Sequence, residues 1–541
     1  MDEQKQFCLK MLKNLREEVN WEIEEERRGF FRKFHVLVKN WFGELPNLRD
    51  FFSPEEIESI IVESMRNKDD PDRIDDDFSF IKFVIDTGYK DEPKLDKDGK
   101  PLVNRKTPLH HAVTNYCYVI PGLFNIYDRF DVNYADESGY THFHAACMLP
   151  HCVEVVERFL ELGQDPNCLT SETGDSPLLI AADSENERVV ELLLENGADP
   201  NLAAKDGITP LHCISFSYNE QMVMKFFKIN NDKHQPLLIN AQNYLGSTPL
   251  HCATECGFYE TVKLLLRKGA NPNLVNEKGW TPLHFICRRD DDSEYFAKIF
   301  FEINDEKHQM VEVNAPDKLG RTPLQLAVTN LQPLTAEILL SRGADMSCIV
   351  FPTEIQFPEG FDLEFKDNWL NIKFRLVSGA LAVVECLEKR GYQLYRSNAM
   401  NIMKLFAENG FFEMPANIQK RWYDDEQFAE KAKNNMLNKN LSLYDVVQLK
   451  PEEVEKRLTC SDYFAFACYD DFTDLPEGTK EACAVHLSEI MARRFFREWA
   501  LESLLKLTRY KLPILCCEVI INKLMNKDLY SVCFAHTSIN L

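Results

Sequence analysis

Thr107-Pro108-Leu109-His110 is the first of seven related four-residue phrases along this chain of 541 residues. The other six are Thr141-His142-Phe143-His144, Ser176-Pro177-Leu178-Leu179, Thr209-Pro210-Leu211-His212, Thr248-Pro249-Leu250-His251, Thr281-Pro282-Leu283-His284 and Thr322-Pro323-Leu324-Gln325. The first residues of successive phrases lie 34, 35, 33, 39, 33 and 41 positions apart. This regular recurrence predicts a repeat protein in which each phrase begins one structural unit.

Each phrase has the chemistry of a helix start. Thr or Ser is a good N-cap, and Pro suits the first helical position, where its missing N–H would have no partner. A second apolar run follows in each unit, for example at 189–194, and a glycine such as Gly197 comes after it. Glycine adopts the left-handed conformation that ends a helix. A helix pair per unit is therefore expected. The glycines expected at the second helix ends are Gly163, Gly197, Gly269 and Gly343, and those expected in the hairpins are Gly139, Gly174, Gly207, Gly246, Gly279 and Gly320.

The T-P-L-H phrase and its period near 33 residues resemble ankyrin repeats. The resemblance implies an all-α fold: a solenoid of helix pairs with short hairpin tips, followed by an all-α C-terminal domain. We expect a helical lead-in or cap at 1–77, a solenoid of about seven clear repeats and one degenerate repeat at 78–350, and a helical domain at 351–541. One unit cannot bury its own apolar face, so neighbouring units must stack.

The histidines of the phrase are interpreted as structural. His110, His144, His212, His251 and His284 each belong to a different unit. In ankyrin-like repeats this histidine ties a turn together by hydrogen bonds, so we predict neither a metal site nor a catalytic site there.

Two units are longer than the others. They carry similar inserts, Ile229 to Gln235 and Ile303 to Gln309, after the second helix. Inserts in a solenoid are expected in loops on one face, either widening a binding surface or simply extending solvated loops.

Composition narrows the class of partner. Lys and Arg number 62 against 86 Asp and Glu, which gives a net charge of −24. Nucleic acids and anionic membranes favour basic surfaces, so we expect no nucleic-acid and no membrane partner. No apolar run approaches the length of a membrane span. Seventeen cysteines without a paired framework indicate reduced thiols, and hence the cytoplasm, with the nucleus also possible.

The region before the repeats is predicted to be helical. One or two amphipathic helices are expected between Phe7 and Trp41, another from Ser53 to about Arg66, and a degenerate repeat helix near 80–88. The acidic residues Asp69, Asp70, Asp72, Asp75, Asp76 and Asp77 lack the glycine and terminal glutamate of an EF-hand loop. A solvated linker is the preferred interpretation, so no metal is predicted.

After Val350 the period stops, and short helices are predicted at 376–387, 400–406, 428–437 and 441–449, followed by a stronger helical stretch at 484–510. Near the end, Leu512-Pro513 is followed by Ile520-Ile521, Leu524 and Leu529. This spacing resembles an F-box, with Leu515 where an acidic residue is usual and twelve residues after Leu529. The same apolar spacing is also typical of an ordinary helical core.

Ankyrin repeats followed by a truncated F-box-like segment at 511–533 resemble the PRANC family, the pox-protein ankyrin-repeat C-terminus. The resemblance implies that the repeats select a target protein and that the C-terminal segment recruits the SKP-type linker subunit of a cullin ubiquitin ligase. It assigns the linker-facing role to Leu512, Pro513, Ile520, Ile521, Leu524 and Leu529.

The target is expected on the concave face of the repeats, at the hairpin tips and exposed first helices. Tyr140 and Trp280 are large aromatics at a normally exposed position, and such residues are typical interface anchors. The predicted target-binding residues are Tyr134, Asp136, Tyr140, Lys205, Tyr244, Glu277, Lys278, Trp280 and Lys318.

Two functions remain open at this stage. The first is a non-enzymatic adaptor that brings a target to a cullin ligase and so promotes its ubiquitination. The second is a masking protein, like inhibitors of NF-kappa-B, that covers a partner without ubiquitin transfer. No spacing pairs a nucleophile with a base, so no enzyme activity, catalytic residue or cofactor is predicted.

Overall fold

The computed structural model describes residues 2–66, 74–233, 235–289, 293–347, 349–351, 369–413, 422–469, 472 and 474–539. The chain divides into two compact units, Met1–Asn271 and Pro272–Leu541. The division falls within the repeats. The two units are described separately.

Unit 1 begins with four helices, α1 (Asp2–Glu17), α2 (Glu24–Lys39), α3 (Pro54–Arg66) and α4 (Ile74–Asp86). An aromatic cluster joins them: the ring centroids of Phe30 and Phe34 lie 5.4 Å apart, and those of Phe34 and Phe80 also lie 5.4 Å apart. The expected helices are present. Asp69, Asp70 and Asp72 lie outside the described residues, as do the side chains of Asp75, Asp76 and Asp77.

The repeats of unit 1 are helix pairs, each opened by a Thr or Ser N-cap. They are α5 (Pro108–Asn115) with α6 (Ile120–Leu123), α7 (His142–Met148) with α8 (Val153–Glu161), α9 (Pro177–Asp183) with α10 (Glu187–Glu195), α11 (Pro210–Ser215) with α12 (Glu220–Asp232), and α13 (Pro249–Cys256) with α14 (Tyr259–Arg267). The leucines of the phrase are fully buried at Leu109, Leu178 and Leu250. The array therefore has its core between successive helix pairs.

The insert at Ile229 lengthens a helix. α12 has 13 residues where α10 and α14 have nine, and its last four residues are Ile229 to Asp232. The loop expectation is thus wrong for this part of the insert. The physical reason is burial: Asn230 is fully buried, and its side-chain amide donates to the carbonyl of Phe226 at 2.7 Å within the helix.

The hairpin tips of unit 1 are joined by backbone hydrogen bonds. The amide of Ser171 donates to the carbonyl of Ser138 at 2.7 Å, and that of Lys205 donates to Thr173 at 2.9 Å. This close approach explains the glycine at the tip. Gly139 has a φ of +74°, and a Cβ there would lie 2.6 Å from the amide nitrogen of Ser171.

Gly139→Ala is expected to destabilise the protein more than Gly163→Ala. Gly163 also has a positive φ, +86°, but nothing lies within 4 Å of the Cβ it would gain. The left-handed backbone alone costs an alanine about 1–2 kcal/mol. At Gly139 the clash with the neighbouring tip adds about 1–3 kcal/mol. Urea unfolding of both variants measures the difference, and equal losses would show that the tips do not pack as described.

Unit 2 contains two repeats and a helical domain. The repeats are α15 (Pro282–Arg288) with α16 (Ser293–Glu306) and α17 (Pro323–Thr329) with α18 (Pro333–Ser341). The insert here also continues a helix, since Ile303 to Glu306 belong to α16 and buried Asn304 donates to the carbonyl of Phe300 at 2.7 Å. The first four residues of each insert thus continue the preceding helix in the same way.

The C-terminal domain is mostly helical. Its elements are α19 (Trp369–Glu388), α20 (Arg396–Glu408), α21 (Glu426–Ala432), β1 (Met436–Asn438), β2 (Leu441–Ser442), α22 (Leu443–Gln448), α23 (Pro451–Val454), α24 (Cys460–Tyr469), α25 (Glu477–Leu507), α26 (Ile514–Ile521) and α27 (Asn526–Ile539). The predicted helix at 428–437 ends early, because Leu437 lies in the two-stranded hairpin β1–β2. The long helix α25 is the support on which α26 and α27 pack.

Candidate protein-interaction sites

The motif histidines hold the helix starts. In unit 1 the backbone amide of Thr107 donates to Nδ1 of His110 at 3.0 Å, and Thr141 donates to His144 at 3.1 Å. Because Nδ1 accepts, the proton is on Nε2. Nε2 of His110 donates to the carbonyl of Tyr140 at 3.0 Å, and Nε2 of His144 donates to the carbonyl of Cys168 at 3.1 Å. In unit 2, His284 donates in the same way to Arg321 at 3.3 Å. His110, His144 and His284 thus each join their own repeat to the following one.

Burial keeps these histidines neutral. It lowers the pKa of His110 and of His144 from 6.5 to about 4. Burial also lowers the pKa of His212 and of His284. Protonation would place an N–H against the threonine amide and remove the bond at the helix start. The last repeat uses Gln325 instead, whose side-chain amide donates to the carbonyl of Val350 at 2.7 Å.

The predicted target-binding residues of unit 1 differ in exposure. Lys205 and Tyr244 are exposed, the latter by 61%. Asp136 and Tyr140 are half-buried at one tip. Burial opposes ionisation of Asp136, but hydrogen bonds from Ser138 and from the backbone of Tyr140 outweigh it and lower its pKa. Asp136 therefore also shapes the turn.

Tyr134 does not lie on the surface. Only 2% of it is exposed, and its hydroxyl donates to the carboxylate of Asp91 at 2.5 Å. The guanidinium of Arg105 lies 4.5 Å from the centroid of its ring and pairs with Asp91 at 2.7 Å and with Glu58 at 3.3 Å. The placement of Tyr134 at the target surface is thus corrected: it closes a buried charged network, because a phenol can satisfy a buried carboxylate.

Tyr134→Phe is expected to destabilise the protein by about 1.5–3 kcal/mol, since a hydrogen bond to a charged group is lost in a buried place. Tyr244→Phe is the matched control: it removes the same atom from an exposed side chain, and an effect within about 0.5 kcal/mol is expected. Chemical denaturation of the two variants beside the wild type measures both. Equal midpoints for all three proteins would contradict the proposed role of the Tyr134 hydroxyl.

In unit 2, the predicted residues Glu277, Lys278 and Lys318 are exposed, whereas Trp280 is only 6% exposed. The expectation that Trp280 projects as an open anchor is corrected. Its indole N–H donates to the carboxylate of Asp317 at 3.2 Å, and its ring packs against Phe285 with centroids 5.0 Å apart. Trp280 is the wall of a cleft rather than a free side chain.

This cleft, the Trp280 cleft, has a volume of about 570 Å³ and lies between the two tips and first helices of unit 2. Its charged lining consists of Lys278, Lys318, Arg288, Arg321, Glu277 and Asp317, and Leu319 adds an apolar side chain that is 76% exposed. Arg321 is paired with Asp317 at 2.8 Å. Arg288, Leu319 and Arg321 were not among the predicted target-binding residues. The sequence feature that could have identified them is their position in the tips or beside them.

The C-terminal segment presents an apolar helix face. On α26, Leu515 is 70% exposed, Val519 56% and Ile520 40%. Its opposite face, Cys517 and Ile521, is buried. The helix sequence is ILCCEVII, apolar on nearly every side, and such a helix is normally buried all round. Here only one face is covered by the rest of its unit.

Polar contacts hold α26 and α27 on α25. The Arg493 guanidinium donates to the carbonyls of Asn522 and Leu524 at 2.9 and 3.2 Å, at the end of α26. Glu489 accepts the amide of Asn526 at 3.1 Å, at the start of α27. The exposed face of α26 is therefore displayed from an anchored position.

The structure separates the six residues assigned to linker binding. Leu512, Pro513 and Ile520 are exposed, and Leu524 is half-buried. Ile521 and Leu529 are 2% and 0% exposed and pack inside the domain, where they support the helices. The linker-facing prediction is therefore retained for the first four alone. Three further apolar residues, Ile514, Leu515 and Val519, were not assigned to linker binding and are also exposed; Leu515 and Val519 lie one helical turn apart on the open face of α26.

No group of three or more His, Cys, Asp or Glu side chains in the described ranges could hold a metal ion. Nor does any helix in the part of the chain that the structure covers have the length and apolar content to cross a membrane.

The two units thus share a class of architecture, helical repeats with hydrogen-bonded tips, which is a scaffold for protein–protein interaction. The repeats are ankyrin repeats: the family description "Ankyrin repeats (3 copies)" matches residues 109–204, 178–276 and 262–349.

Curated relatives match through part of their length. The chain is 27% identical over 220 residues to human SH3 and multiple ankyrin repeat domains protein 2, covering 39% of this chain and 11% of the relative. It is 36% identical over 117 residues to human transient receptor potential cation channel subfamily A member 1 (22% and 10%) and 38% identical over 143 residues to bovine mitochondrial disaggregase (25% and 19%). The chain spans a fifth or less of each of these relatives.

Two solved structures are similar in part. An ankyrin repeat domain from Acinetobacter baumannii AYE is 26% identical with a TM-score of 0.33, covering 38% of this chain and 98% of that one. The ankyrin repeat domain of Bcl-3 is 27% identical with a TM-score of 0.32, covering 39% and 89%.

Proposed function

We propose that this protein is a non-enzymatic adaptor of the cytoplasm or nucleus. Its ankyrin repeats recruit a target protein, and its C-terminal segment docks onto the SKP-type linker subunit of a cullin ubiquitin ligase, which promotes ubiquitination of the target. We propose that its domains are the lead-in at 1–77, the repeats at 78–350 and the helical domain at 351–541.

The observation that carries the proposal is the uncovered apolar face of α26. One face of this helix is buried, and the other exposes Leu515, Val519 and Ile520 to solvent. A contiguous exposed apolar surface of this kind marks an interaction site. Helix-in-groove recognition uses apolar anchors one helical turn apart, and Leu515 and Val519 have this spacing. The F-box resemblance names a partner with such a groove.

Binding between the intact chain and purified SKP-type linker tests the proposal directly. Isothermal titration is expected to give one linker per chain, with a negative heat-capacity change because apolar surface is buried. If the wild-type chain binds no linker at all, the adaptor function is wrong.

One outcome would distinguish the alternative function, masking of a partner, from the adaptor function. Masking requires the repeats and no ligase. A chain that holds a target but recovers no linker subunit would favour masking over ubiquitin transfer.

A further inference from the structure

The Trp280 cleft differs in charge from the chain as a whole. The protein carries −24. The cleft lining contains four cationic side chains, Lys278, Lys318, Arg288 and Arg321, against two carboxylates, Glu277 and Asp317. The cleft is therefore locally positive in a strongly acidic molecule. At unit 1 the tip around Asp136 has the opposite sign, with Asp136, Glu137 and Glu172 beside Lys106.

Three of the cations are available to a ligand. Arg321 is engaged by Asp317, but Lys278, Lys318 and Arg288 have no ion-pair partner among the residues that the structure describes. Lys278 and Arg288 instead lie over the face of the Trp280 ring, with their charged groups 5.8 and 5.4 Å from its centroid. This cation–π contact holds both charges at the cleft without neutralising them.

Hydrogen bonds connect the residues at the floor of the cleft. Asp317 accepts the Trp280 indole N–H at 3.2 Å and the Arg321 Nε–H at 2.9 Å. The amide of Lys318 donates to the carbonyl of Lys278 at 3.0 Å, so the two tip lysines are held next to each other. A preorganised site of this kind loses little entropy when a ligand binds.

From this chemistry we propose that the Trp280 cleft binds an acidic peptide segment of the target, with carboxylates on Lys278, Lys318 and Arg288 and an apolar side chain against Leu319. The inference rests on the proposed function, since it names the class of target that the repeats recruit. An acidic peptide fits better than free phosphate or a nucleic acid, because a peptide also supplies an apolar side chain for the exposed Leu319 of the cleft lining. The volume of about 570 Å³ accommodates several peptide side chains.

Fluorescence anisotropy with synthetic peptides and the full chain tests the inference. The probe has about twelve residues, with a leucine between clusters of glutamate, and a second peptide carries glutamine in place of each glutamate. The acidic peptide is expected to bind, with affinity falling between about 0.05 and about 0.3 M salt because the contacts are ionic. Equal binding of the glutamine peptide, or stronger competition from a short oligonucleotide than from the unlabelled acidic peptide, would overturn the inference.

Charge-reversal variants locate the site. The variant Lys278→Glu/Lys318→Glu is expected to bind the acidic peptide at least about tenfold more weakly than the wild type. It is also expected to bind a basic peptide in which each glutamate is replaced by lysine. Lys307→Glu/Lys439→Glu is the matched control, because it makes the same change of net charge at exposed lysines outside the cleft lining. Equal weakening by both pairs would mean that only overall charge matters, which contradicts the inference.

The same preparations separate this inference from the adaptor function. Linker binding uses α26, and peptide binding uses the cleft. A chain that binds the linker subunit but no acidic peptide refutes the inference and leaves the adaptor function in place. A chain that binds acidic peptide but no linker supports the inference and removes the ligase.

Discussion

A chain carrying Leu515→Asp and Ile520→Asp is expected to bind the SKP-type linker at least about a hundredfold more weakly than the wild type. The two side chains are 70% and 40% exposed on α26, and the proposed docking buries both in the partner's groove. Central apolar anchors of an interface contribute about 2 kcal/mol or more each, and a carboxylate in an apolar groove adds a desolvation cost. Titration calorimetry measures the affinity.

The fold should tolerate these substitutions, since the core residues Ile521 and Leu529 are untouched. Circular dichroism and thermal unfolding check this. Met310→Asp/Tyr395→Asp is the matched control: it places two carboxylates at side chains that are 84% and 71% exposed, outside α26. Full linker affinity in the α26 variant would falsify the docking role of this face, and a loss of equal size in the control would point to a general effect of charge.

The free energy of unfolding is expected to fall by about 4 kcal/mol between about pH 7 and about pH 5 through His110 and His144. In the folded protein burial lowers the pKa of both from 6.5 to about 4. Between these values the unfolded chain takes up protons that the folded chain does not, so stability falls as pH falls. The stabilisation is fully present above 6.5, decreases below it and levels off near 4. Down to about pH 5, roughly 1.5 units below 6.5, each histidine accounts for about 2 kcal/mol of this loss, at about 1.36 kcal/mol per unit.

Replacing both histidines by glutamine is expected to make the pH dependence of stability shallower by the share of His110 and His144, while His212 and His284 keep their own. Glutamine occupies the same position naturally at Gln325, where it bonds the following turn at 2.7 Å. Urea titrations at several pH values give the slope, and hydrogen exchange of the Thr107 and Thr141 amides locates it. A slope that persists unchanged in His110→Gln/His144→Gln would show that other groups cause the acid sensitivity.

Much of the repeat architecture could be predicted from local chemistry. Thr107 and Thr141 act as N-caps, and Gly139 and Gly163 take the left-handed conformation, because these roles depend on a few neighbouring residues. The histidine bonds are those that the resemblance to ankyrin repeats implied. The helix at 428–437 was predicted too long, because pairing of β1 with β2 depends on partners and not on apolar spacing alone.

The candidate sites were predicted less completely. Tyr134 and Trp280 occupy tip positions that are normally exposed, but both side chains are buried. Tyr134 donates a hydrogen bond to the buried carboxylate of Asp91, and Trp280 donates one to that of Asp317. Nothing in the phrase shows which aromatic side chain will meet such a partner. Arg288 and Leu319 could be placed in the cleft only when two tips and two first helices came together.

The sequence by itself determined the repeat period, the helix starts and the apolar character of α26, since each is a property of residues a few positions apart. Which face of α26 remains open was decided only by tertiary structure. Apolar residues on both faces satisfy the same helical spacing, and it is the packing on α25, fixed by Arg493 and Glu489, that buries Ile521 and leaves Ile520 in solvent.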